Sequence, residues 1–181
     1  MMPPRYRHPK EMSREDLFAY MADLCRNWLA HDGLWFLAVE RAHGMEEAIE
    51  LDRQAWEEFT RIEARRIMKR LGIEEGEGLD ALDAALRFRL YAHINVQTIE
   101  RPEPDLLVFT MNACRVQDAR KRKGLPDFPC KPVGMVEYGN FADTIDPRIE
   151  TKCVFCPPDD HPEDAWCRWE FRLRPRPGGE A

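Results

Sequence analysis

Five of the chain's six cysteines, Cys114, Cys130, Cys153, Cys156 and Cys167, fall in the last 68 of its 181 residues. Clustered thiols in a reducing compartment point to a metal, to reactive sulfur, or to small apolar side chains buried for packing. The run Cys153-x2-Cys156-x4-His161-x5-Cys167 places four soft or borderline ligands within fifteen residues. Zinc takes thiolate and imidazole in a tetrahedron, and two cysteines two residues apart reach one ion from a turn. The spacing is one residue longer than that of a zinc knuckle and lacks the glycine before the histidine, so a knuckle is a weak fit. A second assignment joins Cys114 and Cys130 to the strand cysteines. The expectation is a metal held by a subset of the five cysteines, with His161 a weaker candidate. Zinc comes first, and another transition metal or an iron–sulfur group stays open. A structural zinc contributes on the order of 10 kcal/mol to folding, so its removal is expected to unfold the C-terminal half.

The second chemical feature is a carboxylate in the wrong place. Ala48, Ile49, Ala55, Trp56 and Phe59 form the apolar stripe of a long helix, and Asp52 sits within it at i+3 and i+4 from Ala48 and Ile49. A buried carboxylate must be paired, hydrogen-bonded or metal-bound, or else carry a raised pKa suited to proton transfer. Glu63 lies next to the same face, and His31, Asp32 and Glu40 could approach it from the preceding segment. Asp52 and His31 are therefore the candidate proton carriers. The plainer alternative is an ion pair with Arg53, Arg61, Arg65 or Arg66.

These residues need a scaffold. Residues 1–12 read as a disordered arm and 175–181 as a flexible tail, around a single α+β domain at 13–174. Ser13 with Asp16 starts a helix expected to stop at Gly33, and a short piece, 34–43, is expected to stop at Gly44. The longest helix spans about Met45 to Leu71, and Leu79 to Leu90 forms another. Two strands, Ala92–Ile99 and Leu106–Met111, join across Arg101–Pro104; helices follow at Cys114–Lys123 and Pro132–Thr144, then strands at Arg148–Phe155 and Trp166–Leu173. On the last strand Cys167, Trp169, Phe171 and Leu173 share the core face. Strict alternation turns Cys156 away from that face unless its strand ends early. The fold class is α+β: a helical half (13–91) packed on a cysteine-rich half (92–174), an antiparallel sheet with two inserted helices.

Composition excludes several functions. With 27 basic and 33 acidic residues the net charge is −6, against general duplex binding, so no nucleic-acid partner is expected. Arg120 to Lys123 reads as a solvated helix end. No apolar stretch is long enough for a membrane span, and the opening MMPPRYRHPKEM has no apolar core behind it, so no secretory signal is read. Cytoplasmic location is the expectation. There is no phosphate-cradling Gly loop, no Gly-x-Ser-x-Gly elbow and no His-Glu-x-x-His.

The segments NWLAHDGLWFLAVE (27–40), CRVQDARKRKGLPDFPCKPVG (114–134) and IDPRIETKCVFCPPDDHPEDAWCRWEF (145–171) resemble a bacterial and archaeal family of uncharacterised cytosolic proteins, similar in turn to the L-2-amino-thiazoline-4-carboxylic acid hydrolase-like proteins. The resemblance implies water attack on a carbon–nitrogen or carbon–sulfur bond in a small ring, with the five late cysteines at the family's cysteine positions. A similar layout occurs in small-molecule-binding domains of the vinyl reductase type. Two readings follow. One is a metal-assisted hydrolase with a small-molecule ligand and Asp52 or His31 moving the proton; the other is a non-catalytic ligand-binding or redox- and metal-sensing module with a closed metal site.

Overall fold

A computed structural model of the chain describes residues 5–176. Ser13 caps the first helix, α1 (Arg14–His43): its Oγ accepts the Asp16 amide at 3.1 Å and donates to Asp16 Oδ2 at 2.7 Å. Residues 5–12, expected as part of a loose arm, instead fold back on this cap through a 3-10 turn, Pro9–Glu11. Tyr6 donates to Asp16 Oδ2 at 2.5 Å, and Arg5 pairs with the same carboxylate at 3.2 Å. The expectations for residues 1–4 and 177–181 lie outside the described residues.

Gly33 does not stop α1, which continues as one helix to Gly44. A glycine inside a helix costs about 0.5–1 kcal/mol relative to alanine. The stripe Leu29, Phe36 and Leu37, which faces a cavity, carries the helix through it. Gly44 does stop it, with φ +90°. The second helix, α2 (Met45–Leu71), ends at Gly72 in the left-handed conformation, as its glycine implied.

After α3 (Gly78–Leu86) comes a 3-10 turn, Leu90–His93, where a strand was expected. Strand β1 (Val96–Glu103) therefore starts later and runs through Pro102. It is an edge strand, so the missing N–H of Pro102 need not leave a ladder bond broken. β2 (Leu106–Ala113), α4 (Arg115–Arg122), α5 (Lys131–Ile145), β3 (Ile149–Phe155) and β4 (Cys167–Leu173) follow. The sheet order is β1-β2-β4-β3, antiparallel at every pairing. The fold is α+β.

Phe109, Trp169 and Cys153 stand directly opposite one another on β2, β4 and β3, so all three face one side of the sheet. Trp169, Phe171 and Phe109 are buried there with Phe141 and Ile145 of α5 and Leu79, Leu82 and Leu86 of α3. Helix α2 packs on α5, and α1 packs on α2. No residue of α1 is fully buried over its 30 residues, so it is the outermost layer.

A buried carboxylate and a close-approach glycine pin these layers. Asp146, fully buried, accepts the Gly78 amide at 3.0 Å and pairs with Arg148 at 2.6 Å. Burial alone would raise its pKa; the Arg148 side chain and amide, with the Gly78 amide, hold it below the usual carboxylate value. Gly134 lets α5 approach the sheet: a Cβ there would lie 2.7 Å from Cζ2 of Trp169. Gly134→Ala is expected to lower stability by about 1–3 kcal/mol in chemical denaturation, since neither the helix backbone nor a fully buried indole has room to yield. An unchanged midpoint would show that α5 shifts freely.

Candidate functional site

A cavity of about 450 Å³ opens between α1, α2, α4 and α5 and reaches down to the sheet. Its size is ordinary for a small-molecule site. Aromatic rings make much of its wall: Phe36 on α1, Trp56 on α2, Tyr91, Phe128, Tyr138 on α5 and Trp169 on β4. Trp56 and Tyr91 stack with centroids 5.8 Å apart, and Trp28 backs Trp56 edge-on at 6.0 Å. Trp169 contributes a further feature, because its buried indole N–H has no acceptor among the described residues.

Four of the five late cysteines line this cavity: Cys114 at the start of α4, Cys130 just before α5, Cys156 just after β3, and Cys167 at the start of β4. Strand β3 ends at Phe155, and Cys156 is thereby free to turn inward, the exception to strict alternation. The loop carrying it is clamped to the start of α5. Lys131 reaches Asp159 at 2.7 Å, its amide donates to the Pro157 carbonyl at 2.9 Å, and the Cys156 amide donates to Asp159 at 3.4 Å. Gln117 holds the other side, bonding both backbone groups of Phe128 at 2.8 Å and reaching Cys130 Sγ at 3.6 Å. As a result Cys130 Sγ and Cys156 Sγ stand 3.5 Å apart.

The thiols repel deprotonation. The neighbouring Cys130 and Cys167, then burial, push the Cys156 thiol far above its ordinary value. Burial pushes Cys114 up to about 12 and Cys153 up to about 11. Cys153 packs against the same core but does not line the cavity. His161 stays apart from the cluster, its ring packed on Trp166 at 4.9 Å and its Nδ1 3.0 Å from the Pro162 carbonyl. Among the described residues, no three His, Cys, Asp or Glu side chains form a ready-made metal site.

Carboxylates form another part of the wall: Asp32 on α1, Asp52 on α2 and Glu137 on α5. Asp52 rises to about 7, from burial first and then from the charges of Asp32 and Glu137, against the Trp56 indole. Burial likewise raises Asp32, with His31 opposing. None of the arginines considered for Asp52 pairs with it: Arg53 binds Glu50 and Glu57, and Arg61 binds Asp143 and Asn140. His31 itself is exposed and does not line the cavity; one residue's advance along a helix turns the side chain by about 100°, and Asp32 faces inward instead.

Glu40 and Glu63 are also committed elsewhere. Glu40 receives both guanidinium nitrogens of Arg120, at 3.0 and 3.2 Å. Arg120 is thus a buried tie between α4 and α1, a correction to the solvated helix end expected for it. Glu63 binds Arg89 at 2.9 Å, and the same guanidinium lies 2.7 Å from Glu137. Sequence reading named Asp32 only as an acid near the Asp52 face and Trp169 only as a core residue, and it missed Glu137 and Arg89. For Glu137 a signal existed, since it lies four residues from both Val133 and Phe141 on the buried stripe of α5.

The profile of one protein family, described as a family of unknown function (DUF6125), matches residues 10–173. No curated protein matches the chain. No helix among the described residues is long and apolar enough to cross a membrane.

Proposed function

The chain belongs to this family of unknown function, DUF6125, and we propose that it binds a small organic molecule in the cavity above a thiol cluster that captures a soft metal ion such as zinc. One observation carries the reading: Cys130 and Cys156, 3.5 Å apart, share the wall of a single cavity with Cys167, Cys114 and Asp52. Two sulfurs about 2.3 Å from a tetrahedral zinc stand about 3.8 Å apart, so this pair has the span of two ligands. Cys167 is the natural third, since it already perturbs Cys156, and small side-chain rotations would bring it in. Metal ligation relieves the cost of burying thiolates, which otherwise keeps these sulfurs protonated.

The reaction class is hydrolysis of a carbon–nitrogen or carbon–sulfur bond in a small ring, in line with the resemblance of the late-cysteine segments. Asp52 is partly ionised near neutral pH and supports this role. It would take a proton from attacking water as the carbon–oxygen bond forms, then return it to the departing nitrogen or sulfur. A second reading, a non-catalytic ligand- or metal-sensing module, draws on the four thiols at the cavity wall, enough to close a tetrahedron and leave no open position.

Protein purified without chelator is expected to carry stoichiometric zinc or another soft metal. Cys130→Ser and Cys156→Ser should each lower metal affinity by a factor of about 100 or more, while Cys25→Ser leaves it unchanged. X-ray absorption spectroscopy then separates the readings: three protein ligands and a water favour hydrolysis, and four sulfurs favour the sensing module. A metal-free protein whose serine variants keep wild-type stability and do not bind added zinc would remove the metal from the proposal.

A further inference from the structure

From the charges left unmatched in the cavity we infer that its ligand is an organic cation, an amine or amidine on an apolar or aromatic body. This rests on the small-molecule reading above and names the ligand class for the same site. Asp32 from α1, Asp52 from α2 and Glu137 from α5 line one cavity. The chain's buried cations do not neutralise the first two, for Arg89 is held by Glu63 and Glu137, and Arg120 by Glu40. Neither Asp32 nor Asp52 has an Arg or Lys partner within ion-pair distance among the described residues. Two half-buried carboxylates therefore line one cavity with no cationic partner, a costly arrangement unless something else supplies the charge.

The remaining walls suit the rest of such a molecule. Trp56, Tyr91 and Tyr138 present aromatic surface beside the carboxylates, and a cation over an aromatic ring gains further attraction. Trp169 is a second, independent sign of a missing group: a fully buried indole N–H of the cavity wall has no acceptor among the described residues. A ligand with an acceptor atom away from its cationic end would satisfy both. Arg26, Arg115, Arg122 and Lys123 also border the cavity, but all four are exposed and stand at its rim. Solvent screens charges there more than it screens the half-buried carboxylates.

The acid wall also sets a pH dependence. Asp52 is faced by Asp32 from α1, by Glu137 with its partner Arg89, and by Tyr91 and Trp56. A bound cation favours the ionised forms of Asp52 and Asp32, so binding releases protons below neutrality and weakens as the pH falls. An amidine keeps its own charge throughout, which isolates the protein's titration.

The test is calorimetric titration of the full chain, metal content as purified, with four probes of similar size: 2-phenylethylamine, benzamidine, 2-phenylethanol and 3-phenylpropionate. At about pH 8 the two cations are expected to bind at least about tenfold tighter than the alcohol or the carboxylate. Benzamidine affinity should fall about fivefold or more between about pH 8 and pH 5.5, with protons released on binding. Asp32→Asn should lose about tenfold toward both cations and little toward the alcohol, a contrast that a folding defect would not produce. Equal affinities, or a preference for the carboxylate, overturn the cationic class while leaving the pocket standing, because a ligand still enters it. Failure of every probe at about 10 mM overturns the class and the pocket together.

Discussion

Arg89→Met is expected to lower folding stability by about 3–5 kcal/mol, the largest effect of any single substitution considered for this chain. Arg89 is buried, its guanidinium 2.9 Å from Glu63 and 2.7 Å from Glu137, and it lies over the Phe141 ring at 4.8 Å. Three segments meet at that one cation: α2 through Glu63, α5 through Glu137, and the turn after α3 through Arg89 itself. Methionine keeps much of the apolar stem but leaves two carboxylates facing each other away from water. Burial already raises Glu137, and Arg89 is what opposes it.

The sign of the pH effect follows. Without the cation both acids are ionised only at a cost, so the variant should regain stability as the medium is acidified and the acids protonate. Wild type should show no such recovery from this cluster. Adding Glu63→Gln and Glu137→Gln should restore part of the loss, because the uncompensated charge is then gone. Urea denaturation at two pH values checks both statements. A loss below about 1 kcal/mol would mean that water reaches the triad and solvates it.

Asp52→Asn is expected to have the opposite sign. The Asp52 carboxyl titrates at about 7 in the fold, against 3.8 for the ordinary group. Below the lower value both states hold the proton, and the residue costs nothing. As pH rises from about 4 to 7 the unfolded chain gives up its proton while the folded chain keeps it, so stability drains away across that window. Above it the full penalty stands, at most about 4 kcal/mol from about three pKa units, and nearer about 2 kcal/mol with water reaching the cavity.

The amide carries no such penalty. Asp52→Asn should therefore be more stable than wild type by about 2 kcal/mol near pH 8, with the difference fading toward pH 4. The same change removes the proton carrier and half of the unmatched acid pair, so ligand binding and any turnover should fall as stability rises. Such a trade is expected where a buried charge is kept for function. Superimposable stability profiles for the two proteins between those pH values would show that the Asp52 carboxyl is fully solvated, and its catalytic assignment would go with it.

Much of the scaffold was legible along the chain because its signals are local. The apolar spacing of α2, the glycines closing it and α1, and the two-residue alternation of β4 each record which face of one element leaves water. By the same logic Asp52 stood out as a charge inside an apolar stripe, and the inward turn of Cys167 followed from strand alternation. Local signals failed where a neighbour changed the balance. Gly33 reads as a stop until α1 is seen packed along α2, and Pro102 reads as a break until β1 proves to be an edge.

The site itself was only partly written there. Residue type marked the five cysteines as a set, yet the pairing of Cys130 with Cys156 depends on Lys131 and Asp159 clamping a loop to a helix start 28 residues away. Periodicity put His31 and Asp32 in the same segment, and the orientation of α1 chose Asp32. Whether a buried carboxylate is neutralised is likewise a matter between elements: Glu63 found Arg89 across 26 residues, Glu40 found Arg120 across 80, and Asp52 found another acid. Sequence states what each side chain can do, because its chemistry and the face it occupies are properties of a few neighbouring residues. Tertiary packing decides which charges meet, because Coulomb attraction and desolvation act through space and are indifferent to distance along the chain.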